Sequence, residues 1–167
     1  MKKIKFFQFA TILFLALTFS NCEEDGAIQF IVVDEFETNA SVQGLMGLSS
    51  ITVNQKMNIS DLLDNASTFV EADVESVVVT LQDYSGNSIS GTFNLTVGSA
   101  NLLTNESLSL TVGVPSSEIT IPSTNSDILS SINSGEVQVN FTGATAAAIA
   151  DNDFTLNMKF KIKAKVE

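Results

Sequence analysis

The sequence predicts an all-β protein, an antiparallel β-sandwich with one or two short peripheral helices, spanning residues 27–167. Three observations carry this expectation. Six or more short runs alternate apolar and polar residues with period two. Clusters of Ser, Asn, Gly and Asp, which favour turns, separate the runs. Hydrophobic residues make up 44% of the chain and charged residues 16%, which excludes a disordered acidic tail or a coiled coil. At 167 residues the chain has room for one real core and not for two large domains.

The first run sets Ile28, Phe30 and Val32 against Gln29, Ile31 and Val33, and reads as a strand covered on both faces. Leu45-Met46-Gly47-Leu48 is an apolar stretch that suits a core, or alternatively an exposed interaction patch. Ser60 is placed to cap a helix whose apolar stripe is Leu62, Leu63 and Ala66, extending to Phe69 and Val70, with Asp61 and Asp64 favoured by the helix dipole. Val77 to Leu81 is a β-branched run ending in the turn residues Asp83 to Asn87. Together with Phe93, Leu95 and Val97 it reads as a hairpin. Leu108, Leu110, Val112 and Val114 form another half-buried strand, and Ile119 and Ile121 a short one stopped by Pro122. Ser126 is placed to cap a second helix, with Ile128, Leu129 and Ile132 inward and Gly135 ending it. Val137, Val139 and Phe141 alternate with Gln138, Asn140 and Thr142, and Gly143 to Ala150 reads as a loop or one helical turn. The last strand is the clearest. Phe154, Leu156, Met158, Phe160, Ile162, Ala164 and Val166 share one face, and Thr155, Asn157, Lys159, Lys161, Lys163 and Lys165 the other.

Most side-chain chemistry is excluded by composition. His and Trp are absent, and there is one Cys and one Tyr. A nucleophile therefore lacks the usual activating base, no catalytic residue is assigned, and the expectation is a protein that is not an enzyme. Nineteen acids against eight Lys give a net charge of −11, which argues against a nucleic-acid partner. Asp151-Asn152-Asp153 offers the alternating oxygens of a Ca²⁺ loop but lacks the Gly and distal Glu of an EF-hand; a polar turn is the plainer reading. Asp34-Glu35-Phe36-Glu37 is a second acidic cluster of the same standing. No metal and no cofactor are assigned. The lysine ladder fits either an anionic ligand such as lipopolysaccharide or an acidic glycan or, more simply, a solvent face that keeps a long strand soluble, especially at a sheet edge, and neutralises acids on neighbouring strands. With Tyr84 the only Tyr, stacking platforms for sugars are few.

The first 21 residues read as a signal peptide. A basic start, Lys2, Lys3 and Lys5, precedes the mostly apolar run Phe6 to Phe19, which is too short to span a bilayer. The sole cysteine, Cys22, follows Phe19-Ser20-Asn21 at the expected cleavage point. Ordinary cleavage after Ser20 is the alternative and would leave a free thiol. The placement resembles the lipobox of bacterial lipoproteins, with Asn21 and Phe19 where that motif more often has a small residue and Leu. Glu23-Glu24-Asp25 resembles the acidic export signal of surface lipoproteins of the Bacteroidota. The resemblance implies lipid attachment at Cys22, a palmitate-type acyl anchor, an acidic tether over residues 22–26, and a place on the outer membrane facing the medium. It says nothing of the folded domain. The expected partners are the membrane, through the anchor, and an outer-membrane protein. The expected function is adhesion or outer-membrane assembly, with capture of a glycan or apolar ligand for an uptake system as the alternative.

Overall fold

The computed structural model describes residues 21–22, 28–58, 69–134 and 136–166. In chain order its elements are β1 (Asn21–Cys22), β2 (Ile28–Gln43), β3 (Ser50–Asn58), β4 (Phe69–Gln82), β5 (Ser88–Val97), β6 (Ala100–Thr111), β7 (Ile119–Thr120), α1 (Leu129–Ile132), β8 (Glu136–Thr145) and β9 (Asp153–Val166). Two antiparallel sheets form the sandwich the sequence predicts. One has the order β1-β2-β9-β4-β7 and the other β3-β8-β5-β6.

The core lies between the sheets. From one side come Ala40, Val42, Val77, Val79, Leu81, Leu156, Met158 and Phe160; from the other come Ile51, Val53, Phe93, Leu95, Val137, Val139 and Phe141, all buried. Because strand side chains alternate, each sheet turns one row inward and leaves a polar row in solvent. Phe93 and Phe141 stack with ring centroids 5.1 Å apart. Gly143, in register opposite Phe93, makes room for that pair: a Cβ there would overlap Phe93 Cδ1 and lie 2.6 Å from the Thr92 carbonyl oxygen.

The chain changes sheet more often than the period-two pattern suggests. Val77–Leu81 and Phe93–Val97 are not a hairpin, since β4 and β5 lie in different sheets. The tight hairpin is β5–β6, joined at Gly98-Ser99 with Gly98 at φ 58°, a conformation that costs glycine nothing. In β6, Asn105 takes φ 52° at a bulge, its N–H donating to Asn94 Oδ1 at 2.9 Å. Beyond Thr111 the chain turns at Gly113 (φ 70°), so Val112 and Val114 leave the strand and Val114 is exposed.

Residues 112–128 then run along the outer edge of β4. Gly113 N–H donates to Leu81 O, Ser116 N–H to Val79 O, Ile121 N–H to Glu75 O and Ile128 N–H to Ala72 O, each at 2.8 to 2.9 Å. This strap satisfies the backbone of what would otherwise be an open edge.

One of the two predicted helices lies among the described residues. α1 is a single turn over Ile128 and Ile132, both fully buried. Ser126 does not cap it: its hydroxyl donates to Asp73 Oδ1 at 2.8 Å, and Asp127 Oδ1 accepts the Leu129 N–H instead. The proposed Gly135 terminus lies outside the described residues, as do Ser60 to Ala66 of the other helix. Phe69 and Val70, assigned to that helix's stripe, open β4 instead. Gly143 and Ala144, read with their neighbours as a loop or turn, continue β8 in pairing with β3 and β5.

Candidate functional site

Cys22 sits in β1, paired with Ile28 at the end of the sandwich where β2 begins and β9 ends. Glu23, Glu24 and Asp25 lie outside the described residues. Three regions of the folded domain bear on function: the outer face of each sheet, and the loops opposite Cys22.

The outer face of the five-stranded sheet is a charge belt. The lysines sit on β9, which is a central strand, not an edge. Register places Lys161 and Lys159 opposite Glu35 and Glu37 of β2, and Lys165 and Lys163 opposite Glu71 and Asp73 of β4. Lys159 ion-pairs with Glu35, Lys161 with Glu75 at 3.2 Å and Lys165 with Glu71 at 3.6 Å. A bulge between Val74 and Ser76 is the irregularity at which Glu75 joins this face. The hydrogen bond and charge of Glu35, reinforced by Glu37, raise the Lys159 pKa above the ordinary lysine value. Next along the ladder, the buried Asn157 carboxamide donates to Glu37 Oε1 and to Asn39 Oδ1. Among the described residues Lys163 has no ion-pair partner. The ladder thus balances acids on both neighbours, and three of its four cations are committed.

At the top of this belt the chain departs from expectation. The Ile31 and Val33 side chains, read as covered, are 64% and 53% exposed. Their register partners are Lys165 and Lys163.

The outer face of the four-stranded sheet is uncharged over most of its extent. Across the strands run Thr52, Thr142 and Asn94, then Asn54, Asn140 and Thr96, then Thr92 beside Ser107 and Ser90 beside Ser109. Its one described ion pair, Lys56 to Glu136 at 2.7 Å, lies at the Cys22 end. Two of the chain's Asn-x-Ser/Thr sequons, Asn94-Leu95-Thr96 and Asn140-Phe141-Thr142, fall on this face, inside strands.

The opposite end carries the Asp83–Asn87 turn and the loops at 44–49 and 146–152, with the start of the 112–128 strap beside them. Asp151 Oδ2 accepts the Ser85 N–H and Oδ1 the Asn152 N–H, both at 2.8 Å. These bonds, Ser85 first, hold its carboxyl below the ordinary aspartate pKa. Asp151 therefore clamps the Asp83–Asn87 turn. Asp153 opens β9 opposite Gln43. Among the described residues no three His, Cys, Asp or Glu side chains gather as a metal group. Tyr84 is buried, with its ring edge-on to Phe154 at 5.2 Å and its oxygen accepting the Ala150 N–H at 2.9 Å. The one Tyr is thus part of the core and no surface platform. Of the 45–48 stretch, Leu45 packs on the core while Met46 and Leu48 are exposed. No described helix is long and apolar enough to cross a membrane.

No family model and no curated protein matches the chain. Solved structures similar to it include a chain of the cyanophage Pam1 capsid asymmetric unit, with 14% identity and a TM-score of 0.34 over 80% of this chain and 85% of that one. A Desmodium yellow mottle tymovirus chain has 14% identity and a TM-score of 0.36, over 81% and 82% respectively. A chain of the infectious bursal disease virus Gx strain has 12% identity and a TM-score of 0.32, over 83% of this chain and 32% of that one. Likeness at this level carries no argument about function.

Proposed function

We propose that the protein is a non-enzymatic, lipid-anchored component of the bacterial outer membrane, presenting its β-sandwich to the medium for adhesion or for assembly with an outer-membrane protein. The observation that carries the reading is the N-terminal order of residues: a basic start, an apolar run, the sole Cys, and three acids. Cys22 carries the acyl chains, and two or three chains hold a domain stably where one does not. Glu23, Glu24 and Asp25 direct export. The position of Cys22 beside Ile28 agrees with this reading, because attachment there puts one end of the sandwich at the membrane and leaves the opposite loops free.

The test uses the chain expressed in a bacterium that makes surface lipoproteins. The wild type should incorporate a palmitate analogue and partition into detergent, and Cys22→Ser should do neither while its β-sheet circular dichroism is unchanged. A soluble, unlabelled wild type would overturn the proposal.

One observation favours capture of a neutral glycan as the second reading: the uncharged Ser, Thr and Asn face of the four-stranded sheet, in a chain of net charge −11. Hydroxyls and amides can exchange hydrogen bonds with sugar hydroxyls there without a charged group to desolvate. Thermal shift against a panel of neutral glycans tests it; no stabilisation at any concentration returns the weight to the first reading.

A further inference from the structure

We propose that Ile31 and Val33, with Lys163 and Lys165 beside them, form a second membrane contact that lays the β2 end of the five-stranded sheet against the phosphate-bearing headgroup layer. The proposal rests on Cys22 being the lipid anchor.

Strands usually protect an exposed outer face with polar or charged side chains. From Glu35 onward β2 does so, with Glu35, Glu37, Asn39, Ser41 and Gln43 outward. Ile31 and Val33 break that rule side by side, as two β-branched residues on one face, each more than half exposed. Their cross-strand neighbours are the two lysines nearest the end of β9. A lysine stem lies comfortably along apolar surface with its ammonium extended to the polar side, the arrangement that suits a bilayer interface. Lys163, one of these two, is also the ladder lysine with no ion pair among the described residues. Of the acids facing this spot from β4, Glu71 pairs with Lys165, and Asp73, in register opposite Lys163, accepts the Ser126 hydroxyl.

Position supplies the occupant. Cys22 pairs with Ile28. At about 3.3 Å per residue along the strand, Ile31 lies roughly 10 Å and Val33 roughly 17 Å from that point. Acyl chains on Cys22 must enter the bilayer, so apolar side chains this close fall within reach of the boundary between headgroups and acyl chains, where amphipathic surfaces bury about 5–10 Å deep. Two aliphatic side chains do not hold a domain on a membrane alone. They set its tilt once the lipid has delivered it.

The full, lipidated protein is reconstituted in phosphatidylethanolamine–phosphatidylglycerol vesicles with an environment-sensitive thiol probe at Val33→Cys or, at the opposite end, at Met46→Cys. Incorporation of a palmitate analogue is read on the same samples. The Val33→Cys probe should be blue-shifted and quenched by headgroup-nitroxide lipids, the Met46→Cys probe neither, and Lys163→Glu should weaken the quenching at position 33. Acyl label present with both probes equally water-exposed overturns the contact and leaves the anchor standing. Loss of the acyl label overturns the anchor and the contact together. A blue shift at position 33 that grows with protein concentration and ignores nitroxide lipid overturns it in favour of a second copy of the chain.

Discussion

Phe93 and Gly143 offer a quantitative check on how the two sheets meet. The Phe93 ring is fully buried, stacks on Phe141, and occupies the space above Gly143 that a methyl group would need. Gly143→Ala forces the ring or the β5 backbone to move, an overpacking cost of about 2 kcal/mol. Phe93→Leu forfeits the ring pair with Phe141, about 0.5–1.5 kcal/mol beyond area burial, and vacates part of that space. The double variant should therefore be less destabilised than the sum of the singles, by about 1 kcal/mol. The recovery is partial because the Thr92 carbonyl, 2.6 Å from the added Cβ, stays where it is. Gly44→Ala is the control: Gly44 has φ 72° and nothing within 4 Å of a Cβ, so its cost is backbone strain alone and does not couple to Phe93. Urea denaturation monitored by circular dichroism, with the slope unchanged among variants, gives the four free energies. Additivity of Phe93→Leu and Gly143→Ala within about 0.5 kcal/mol would refute the stated packing.

Asp151 has a depressed pKa in the folded protein, so its contribution is complete above the ordinary aspartate range and is lost as the pH falls through the folded value. Asp151→Asn should lower Tm at neutral pH and flatten its fall in acid; an unchanged acid limb would count against the clamp. Lys159 has the opposite sign: its raised pKa gives a contribution that is full below the ordinary lysine value and is lost as the pH rises through the folded value, so Lys159→Gln should lower Tm at neutral pH and converge on the wild type in strong alkali. Because both Asp151 oxygens already accept backbone N–H groups, Ca²⁺ should leave Tm unchanged. A bound ion at 100 times its Kd would add about 2.7 kcal/mol, which a thermal scan would register.

Period-two alternation made the strands legible, β9 above all, because a sandwich buries one face of every strand. It did not reveal which strands pair, since partners in either sheet share the same pattern. Val77–Leu81 and Phe93–Val97 looked like a hairpin for that reason, whereas the five turn residues between them carry the chain from one sheet to the other. The pairing signal lay in the charges. Glu35 and Glu37 on β2, and Glu71 and Asp73 on β4, repeat at the spacing of the lysines on β9, and opposite charges at one spacing mark neighbours. Ser126 had the chemistry of a helix cap but met Asp73 first, a tertiary choice that local sequence does not contain. Ile31 and Val33 read as covered because apolar residues on both faces of a strand usually are; their exposure comes from their place at the outer end of β2. For Asp151-Asn152-Asp153 the sequence offers metal ligand or turn, and it does not contain the partner the structure adds, the Ser85 N–H that Asp151 accepts across the loops.

Mass spectrometry of the N-terminal peptide from the membrane-extracted protein distinguishes the two fates of Cys22. The mature chain is expected to begin at Cys22, with the mass of a diacylglyceryl thioether on its sulfur. A peptide beginning at Asn21 with an unmodified thiol at Cys22 would contradict it.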